Sequence, residues 1–156
     1  MGHHEKIWLD TYSGPKILFY RRYVDDTFCL FNTERDAKDF FNYINSKHPC
    51  IRFTMEKEVN NTLPFLDIEI NNSNAILTKT TVFRKKTFVG LFTNFLSFSP
   101  TIYKTGLVKT LIDRVYRINN TWVGFHQNMK KVKEYLSKNS FPTREIDKLT
   151  DKNLSQ

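Results

Sequence analysis

The segment at residues 19–31, FYRRYVDDTFCLF, most constrains the fold, because two adjacent aspartates interrupt a run of strand-forming residues. Aromatic and β-branched residues favour strands, and the pattern predicts a β-hairpin over residues 17–31 that bends at Val24, Asp25 and Asp26. Adjacent carboxylates repel each other and cannot be buried without partners. Two interpretations follow: a solvated turn, where aspartate is common, or a pair of oxygen ligands for a divalent metal ion.

A helix and further strands are predicted after this hairpin. Thr33 is placed to cap a helix, with Asp36 three residues later. The apolar face of that helix follows the spacing i, i+3, i+4 and i+7: Ala37, Phe40, Phe41 and Ile44. Alternation in IRFTMEKE, residues 51–58, predicts a half-buried strand. A second hairpin is predicted from PFLDIEI (64–70), the turn NNSN (71–74) and AILTKTTVFRKK (75–86).

The remainder of the chain is predicted to form three helices. Ser99 is the expected cap of the first, with Pro100 at its first position and an apolar face of Val108, Leu111, Ile112 and Val115. The second is expected at about 123–138, with Phe125, Met129, Val132 and Leu136 facing inward. The third starts at Thr143, with Ile146 and Leu149 as its apolar pair. The predicted fold class is therefore α+β: antiparallel hairpins with one packing helix, then a small three-helix bundle.

Charge is distributed unevenly between the two halves of the chain. Residues 1–78 hold 9 Lys and Arg against 11 Asp and Glu, whereas residues 79–156 hold 15 against 5. This asymmetry favours a nucleic-acid or acidic-membrane partner for the second half, the alternative being a generally basic solvated surface.

No apolar run reaches the roughly 18 residues of a membrane span, so no membrane association through a spanning helix is expected. Cys29 and Cys50 lack metal-ligand spacing and are predicted to be reduced and buried, in an intracellular protein of the nucleus or cytoplasm.

RYVDDTF at 22–28 resembles the Tyr-x-Asp-Asp hairpin motif of reverse transcriptases, and the order of later segments is similar too. LPFLDIEI and TTVFRKKTF fall where the primer-grip hairpin of that family belongs. HPCIRFTMEKEVNNTLPFLDIEI and SPTIYKTGLVKTLIDRVYRI resemble the reverse transcriptases of Penelope-like retroelements. The resemblance runs from about residue 5 to 150 and implies two parts. These are a C-terminal palm at 1–98 and a thumb, or helix-turn-helix-like module, at 99–156.

The resemblance also implies roles for individual residues. Asp25 and Asp26 are the implied catalytic residues of a two-ion Mg²⁺ site, to which the carbonyl of Val24 adds an oxygen. Tyr23 is implied to pack by the primer terminus. Asp67 and Glu69 are expected on a solvated strand face rather than at the metal.

The basic residues expected to bind the RNA template and DNA primer, or an RNA–DNA duplex, lie on the second hairpin and the helices. They are Arg84, Lys85, Lys86, Lys104, Lys109, Lys130, Lys131 and Lys133.

The chain departs from the reverse-transcriptase pattern upstream of the hairpin. The family supplies a further aspartate from a strand far upstream, but only 24 residues precede Asp25, and Asp10 is the one aspartate among them. Its surroundings predict a helix end and a turn. We therefore expect an incomplete site and a chain that is inactive alone. Three functions remain open: a polymerase piece that works only with a missing N-terminal part, a non-catalytic nucleic-acid-binding module, or an inert retroelement remnant.

Overall fold

A computed structural model of the chain describes residues 2–72 and 78–154. In these ranges it contains two small antiparallel sheets and five helices, which confirms the α+β class. The chain divides into two compact units, Met1–Lys57 (the first unit) and Glu58–Gln156 (the second unit). The boundary inferred at 98–99 separates palm from thumb by resemblance, not by compactness, and stays a prediction. No helix within the described ranges is both long and apolar enough to cross a membrane.

The first unit contains the predicted hairpin. Its elements are α1 (Gly2–Asp10), β1 (Phe19–Tyr23), β2 (Asp26–Leu30) and α2 (Glu34–Asn45). The bend is tighter than predicted, because Tyr23 pairs with Asp26 and leaves only Val24 and Asp25 in the turn. The core of the unit is Trp8, Phe40 and Ile44. Cys29 is half-buried as a free thiol, whereas Cys50 is exposed, so the prediction that both thiols are buried was wrong for Cys50.

Helix α2 starts where its cap was predicted. The hydroxyl of Thr33 accepts a hydrogen bond from the backbone N–H of Asp36 at 3.2 Å, an arrangement that contributes about 1 kcal/mol. Phe40 and Ile44 of the predicted apolar face are buried. The ring of Phe40 packs edge-on against Tyr12, with the centroids 5.1 Å apart. The predicted periodicity of α2 is therefore confirmed.

Residues 51–58 do not form the predicted strand. Their burial alternates as expected, with Ile51, Phe53 and Met55 half-buried, but no strand within the described part of the chain pairs with them. The side chain of Asn45 makes the hydrogen bonds to Phe53 that a neighbouring strand would otherwise make. Its Oδ1 accepts from the N–H of Phe53 at 2.8 Å, and its Nδ2 donates to the Phe53 carbonyl at 3.3 Å. A side-chain amide can therefore satisfy backbone groups that a sheet would otherwise pair.

The second unit begins with a three-stranded sheet in the order β3-β4-β5: β3 (Thr62–Phe65), β4 (Ile68–Asn71) and β5 (Lys79–Val82). PFLDIEI is not the single strand that was predicted. It bends at Leu66 and Asp67, so that Phe65 pairs with Ile68. The predicted pairing of its second half with TKTTV is confirmed by Ile68 opposite Val82. Much of the predicted NNSN turn, within 73–77, lies outside the described residues.

Three helices complete the second unit: α3 (Thr101–Ile118), α4 (Trp122–Lys138) and α5 (Thr143–Leu154). Their predicted apolar faces are confirmed, and they form one core with β5: Val82, Val108, Ile112, Val115, Phe125, Met129, Val132, Leu136, Phe141 and Ile146. The predicted cap of α3 was wrong. Pro100 holds the N-cap position without a side-chain cap bond, and the Ser99 hydroxyl instead lies 2.7 Å from that of Ser97.

Candidate nucleic-acid interface

A buried amide joins the sheet of the second unit to its helices. Asn128 on α4 is 4% exposed. Its Nδ2 donates to the Thr81 hydroxyl at 2.7 Å and to Asn119 Oδ1 at 2.9 Å, and its Oδ1 accepts from the guanidinium of Arg84. Because Thr81 lies on β5 and Asn119 caps α3, one side chain fixes the sheet, the α3–α4 turn and α4 together.

A second buried amide, that of Asn139, lies where the turn between α4 and α5 begins and joins the end of α4 to the loop before α3. Its Nδ2 donates to the carbonyl of Gly90 at 2.8 Å, and its Oδ1 accepts from the N–H of Phe92 at 3.0 Å. Ser140 has a φ of 65°, and α5 follows at Thr143. A connection of three or four residues between two helices is typical of the helix-turn-helix motif.

Neither asparagine was predicted to have a role, although the sequence contains a usable signal. Asn128 follows Phe125 by three residues and so stands on the predicted apolar face of α4, and Asn139 follows Leu136 by three, directly after the predicted end of that helix. A polar residue on such a face is buried only when its hydrogen bonds are made. Its partners could not be named from sequence, because they lie more than forty residues away along the chain in the case of Thr81 and Gly90.

Helix α5 carries basic side chains at four-residue intervals on its exposed side. Arg144, Lys148 and Lys152 are all exposed, whereas Ile146 and Thr150 are buried. Residues four apart on a helix lie on the same face, so the three cations form one line, called here the α5 basic stripe. The stripe was not predicted because acidic residues lie between its members in the sequence. The i, i+4, i+8 spacing of its cations was the signal that could have revealed it.

The structure places the predicted nucleic-acid contacts in two different environments. Lys85, Lys86, Lys109, Lys130 and Lys131 are exposed. Lys133 forms an ion pair with Asp147 at 2.6 Å, and Lys104 donates to the carbonyl of Ser97 at 2.8 Å.

Arg84 differs from its two lysine neighbours because it is half-buried. Its guanidinium lies 5.7 Å from the ring centroid of Tyr135 as well as bonding Asn128, and burial lowers its pKa. The contacts of Arg84 are therefore those of a structural residue, while Lys85 and Lys86 remain available at the surface.

The hairpin of the first unit presents its aspartates at an exposed tip. Tyr23 and Val24 are 62% and 64% exposed, and Asp25 and Asp26 are exposed as well. Val24 has a φ of 53°, which is unusual for a β-branched residue and costs about 1–3 kcal/mol. The Val24 carbonyl accepts a hydrogen bond from Arg22 at 2.7 Å, so the oxygen suggested as a metal ligand already has a partner.

These hairpin residues do not by themselves fit a two-ion magnesium site. Mg²⁺ requires octahedral oxygen ligands, and Asp25 and Asp26 offer two adjacent carboxylates. Within residues 2–72 and 78–154, no group of three or more His, Cys, Asp or Glu side chains is placed to hold a metal ion. The Mg²⁺ assignment therefore stays a prediction that needs ligands in addition to this pair.

The second hairpin repeats the turn conformation of the first. Leu66 has a φ of 55° and is followed by Asp67, as Val24 with 53° is followed by Asp25. Asp67 thus lies in a turn and pairs with Arg114 at 2.8 Å, instead of lying on a strand face as predicted. An aliphatic residue followed by aspartate is accordingly a turn sequence that this chain uses without two adjacent carboxylates.

Comparison with known proteins bears on the helical part of the chain. Residues 91–151 match the family model described as the animal helix-turn-helix domain. This segment resembles a helix-turn-helix domain. It includes α3, α4 and most of α5, together with the Asn139 turn and two members of the α5 basic stripe. Comparisons with curated proteins and with solved structures gave no match. The helix-turn-helix part of the predicted resemblance is thereby supported, and the polymerase part stays a prediction.

Proposed function

We propose that the second unit is a non-catalytic nucleic-acid-binding module and that the α5 basic stripe is its principal contact. The carrying observation is that three exposed cations lie in line on the helix that follows the helix-turn-helix turn. In such motifs the second helix of the pair contacts nucleic acid, with its N-terminal residues nearest the bases. Arg144, at the second position of α5, matches that place.

The charge of the second unit supports a phosphate-bearing partner. Residues 58–156 hold 15 Lys and Arg against 8 Asp and Glu. Of the three acidic residues of α5, Asp147 is paired with Lys133 and Glu145 is half-buried, whereas Asp151 is exposed and shares the face of the stripe. Basic side chains that meet phosphates displace condensed counterions, so binding of this kind depends strongly on salt and little on sequence.

The test replaces the three residues of the α5 basic stripe by alanine and measures binding by fluorescence anisotropy across a salt series. The slope of log K against log salt is about −0.9 per phosphate contact on duplex DNA, so the variant should flatten the slope by about two to three. A matched control removes three exposed cations from the first unit: Lys16, Arg35 and Arg52. We expect the control to alter the slope by less than about one.

Two results would contradict the proposed contact. One is a stripe variant that binds like the unaltered chain. The other is a control variant that loses as much salt dependence as the stripe variant, because the effect would then reflect net charge alone. Circular dichroism of both variants checks that neither change unfolds the protein.

As a second function, we propose that the chain derives from a retroelement reverse transcriptase, with the hairpin around Asp25 and Asp26 as a polymerase metal ligand pair. The observation that favours it is the exposed hairpin end, where Asp25 lies in the two-residue turn and Asp26 begins β2, despite the cost of Val24 at positive φ. Bound magnesium would supply charge stabilisation for phosphoryl transfer. The chain's own contribution would be to present the two carboxylates, while Lys85 and Lys86 hold the primer or the RNA template.

The polymerase proposal predicts no template-directed extension by this chain alone, because the hairpin supplies too few ligands for two ions. The assay presents a DNA primer on an RNA template with Mg²⁺ or Mn²⁺. Extension that is lost in Asp25→Asn would show that the site is complete within the chain. Restored activity on addition of an N-terminal polymerase part, again lost in Asp25→Asn, would support the fragment proposal.

A further inference from the structure

An exposed aromatic cluster marks the start of α4. Trp122 is 71% exposed, and its ring stacks on that of His126 with the centroids 5.4 Å apart and the planes at 26°. Trp122 also meets the ring of Phe125 edge-on at 5.3 Å, and Phe125 is buried. The ring of Tyr116, in the last turn of α3, also meets the Phe125 ring edge-on, with the centroids 6.4 Å apart. The indole is therefore held in place by two neighbours and still presents most of its surface to solvent.

One cation, Lys130, continues the line of this cluster along α4, and Glu134 follows at the next four-residue interval. Trp122, His126 and Lys130 follow at four-residue intervals and so lie on one side of the helix. A groove between α4 and α5 begins beside them. Its apolar lining includes Phe125 and Met129, and its basic lining is formed by Lys130, Lys133 and Lys138. The groove also contains one acidic side chain, Glu134, and Lys133 is paired with Asp147 at 2.6 Å, so Lys130 and Lys138 are the lysines left to bind an anionic occupant.

We propose that the Trp122–His126 pair is a stacking platform for an unpaired base, with the phosphate backbone following the lysines of the adjoining groove. The ligand class is single-stranded nucleic acid. In a duplex the face of a base is covered by its neighbours, so an aromatic side chain can stack on it only when the strand is open. This inference rests on the proposed nucleic-acid-binding function and specifies which strand form that function prefers.

The arrangement differs from that of an ordinary surface tryptophan. A single exposed aromatic side chain needs no explanation, but here the exposed ring is stacked on His126, meets a buried ring edge-on, and is followed on the same side of the helix by Lys130. Aromatic platforms beside positively charged grooves are the combination that proteins use for single strands, with little sequence preference.

The experiment uses the full chain, a ten-nucleotide oligo(dT) and a fifteen-base-pair duplex at one fixed salt concentration. Trp122→Leu should weaken binding of the single strand by about tenfold, since stacking is worth about 1–3 kcal/mol per base. Duplex binding should change by less than about twofold, because phosphate contacts dominate it. Trp122→Phe keeps an aromatic face and should retain single-strand affinity within about threefold.

A matched control and a spectroscopic readout make the result specific. Tyr103 on α3 is 68% exposed and lies outside the cluster, so Tyr103→Leu should leave the binding of both ligands unchanged. The other tryptophan, Trp8, is 7% exposed. Fluorescence quenching by oligo(dT) should therefore come from Trp122 and disappear in Trp122→Phe, although that variant still binds.

The possible failures can be told apart. If the unaltered chain binds neither ligand, the proposed function is refuted and this inference falls with it. If it binds both and Trp122→Leu changes neither affinity, or lowers both equally, the stacking platform alone is overturned. Self-association that is lost in Trp122→Leu, with single-strand affinity unchanged, would assign the cluster to a contact between protein chains and would also overturn the platform.

Discussion

Replacing Asn128 by leucine removes the amide that holds three elements of the second unit together. The leucine side chain is similar in size to that of asparagine, so the change leaves little empty volume but deletes every hydrogen bond of the amide. The Thr81 hydroxyl keeps its bond to Asn119 Oδ1 at 3.0 Å. The guanidinium of Arg84 loses the acceptor that it has on α4.

The expected loss of stability follows from these contacts. A hydrogen bond to a charged group contributes about 1.5–3 kcal/mol, and the bonds donated by the amide nitrogen to Thr81 and Asn119 contribute about 0.5–1.5 kcal/mol each. Burial of the leucine side chain offsets part of this loss. We therefore expect Asn128→Leu to lower the free energy of unfolding by about 2–4 kcal/mol, a large fraction of the stability of a small unit.

Urea unfolding followed by far-ultraviolet circular dichroism measures this change mainly in the second unit. That unit contributes helices of 18, 17 and 12 residues, against 9 and 12 in the first. The matched control is Gln127→Leu, at the neighbouring exposed position of α4, which should alter stability by no more than about 0.5 kcal/mol. If Asn128→Leu is as stable as the control, the amide does not organise the unit as described.

Three further predictions concern single residues of both units. Iodoacetamide at pH 8 should label Cys50 before Cys29, since the thiolate is the reactive form and burial raises the pKa of the half-buried Cys29 to about 11; peptide mass spectrometry that finds Cys29 labelled first would contradict this. Gly90→Ala should lower the melting temperature, because Gly90 has a φ of 74° and a Cβ there would lie 2.5 Å from the ring of Tyr135, whereas an unchanged melting temperature would show that the loop can move aside. Burial alone would raise the pKa of Glu5, but hydrogen bonds from Tyr20 and Arg22 lower it below 4.5. The contribution of the Glu5 carboxylate to the free energy of unfolding should therefore be complete at neutral pH and be lost as the pH falls below 4.5. Urea unfolding of Glu5→Gln should accordingly show a weaker acid dependence than that of the unaltered chain.

The parts of the fold that could be predicted from sequence are those governed by local periodicity. The hairpin around Val24, the Thr33 cap and the apolar faces of the three last helices depend on residues within one or two turns or strands of each other. The predicted apolar faces of these helices are buried, with Leu111 and Leu149 partly buried at their edges. The exposed lysines of α4 follow from the same periodicity, as the side chains that remain once the inward positions are assigned.

The parts that could not be predicted depend on distant partners or unusual backbone. IRFTMEKE has the alternation of a strand, but the amide of Asn45 replaces the neighbouring strand. PFLDIEI alternates as a continuous strand would, and its bend requires Leu66 in a left-handed conformation that its side chain disfavours. The α5 basic stripe was obscured because acidic neighbours cancel its charge in any count along the sequence, and one of them, Asp151, lies on the same face three residues from Lys148.

The shared conformation of the two hairpin turns has a consequence for how much a short motif reveals. In Tyr-Val-Asp-Asp and Phe-Leu-Asp-Ile, an aromatic residue closes the first strand, an aliphatic one takes positive φ, and aspartate completes the turn. The first three residue types are therefore shared with a hairpin that was not predicted to bind metal, so they do not by themselves distinguish a metal site from an ordinary turn. The two hairpins differ at the fourth position, which begins the returning strand: it is Asp26 in the first hairpin and Ile68 in the second. Asp26 is therefore the residue of the tetrapeptide that best distinguishes a polymerase motif from a turn sequence.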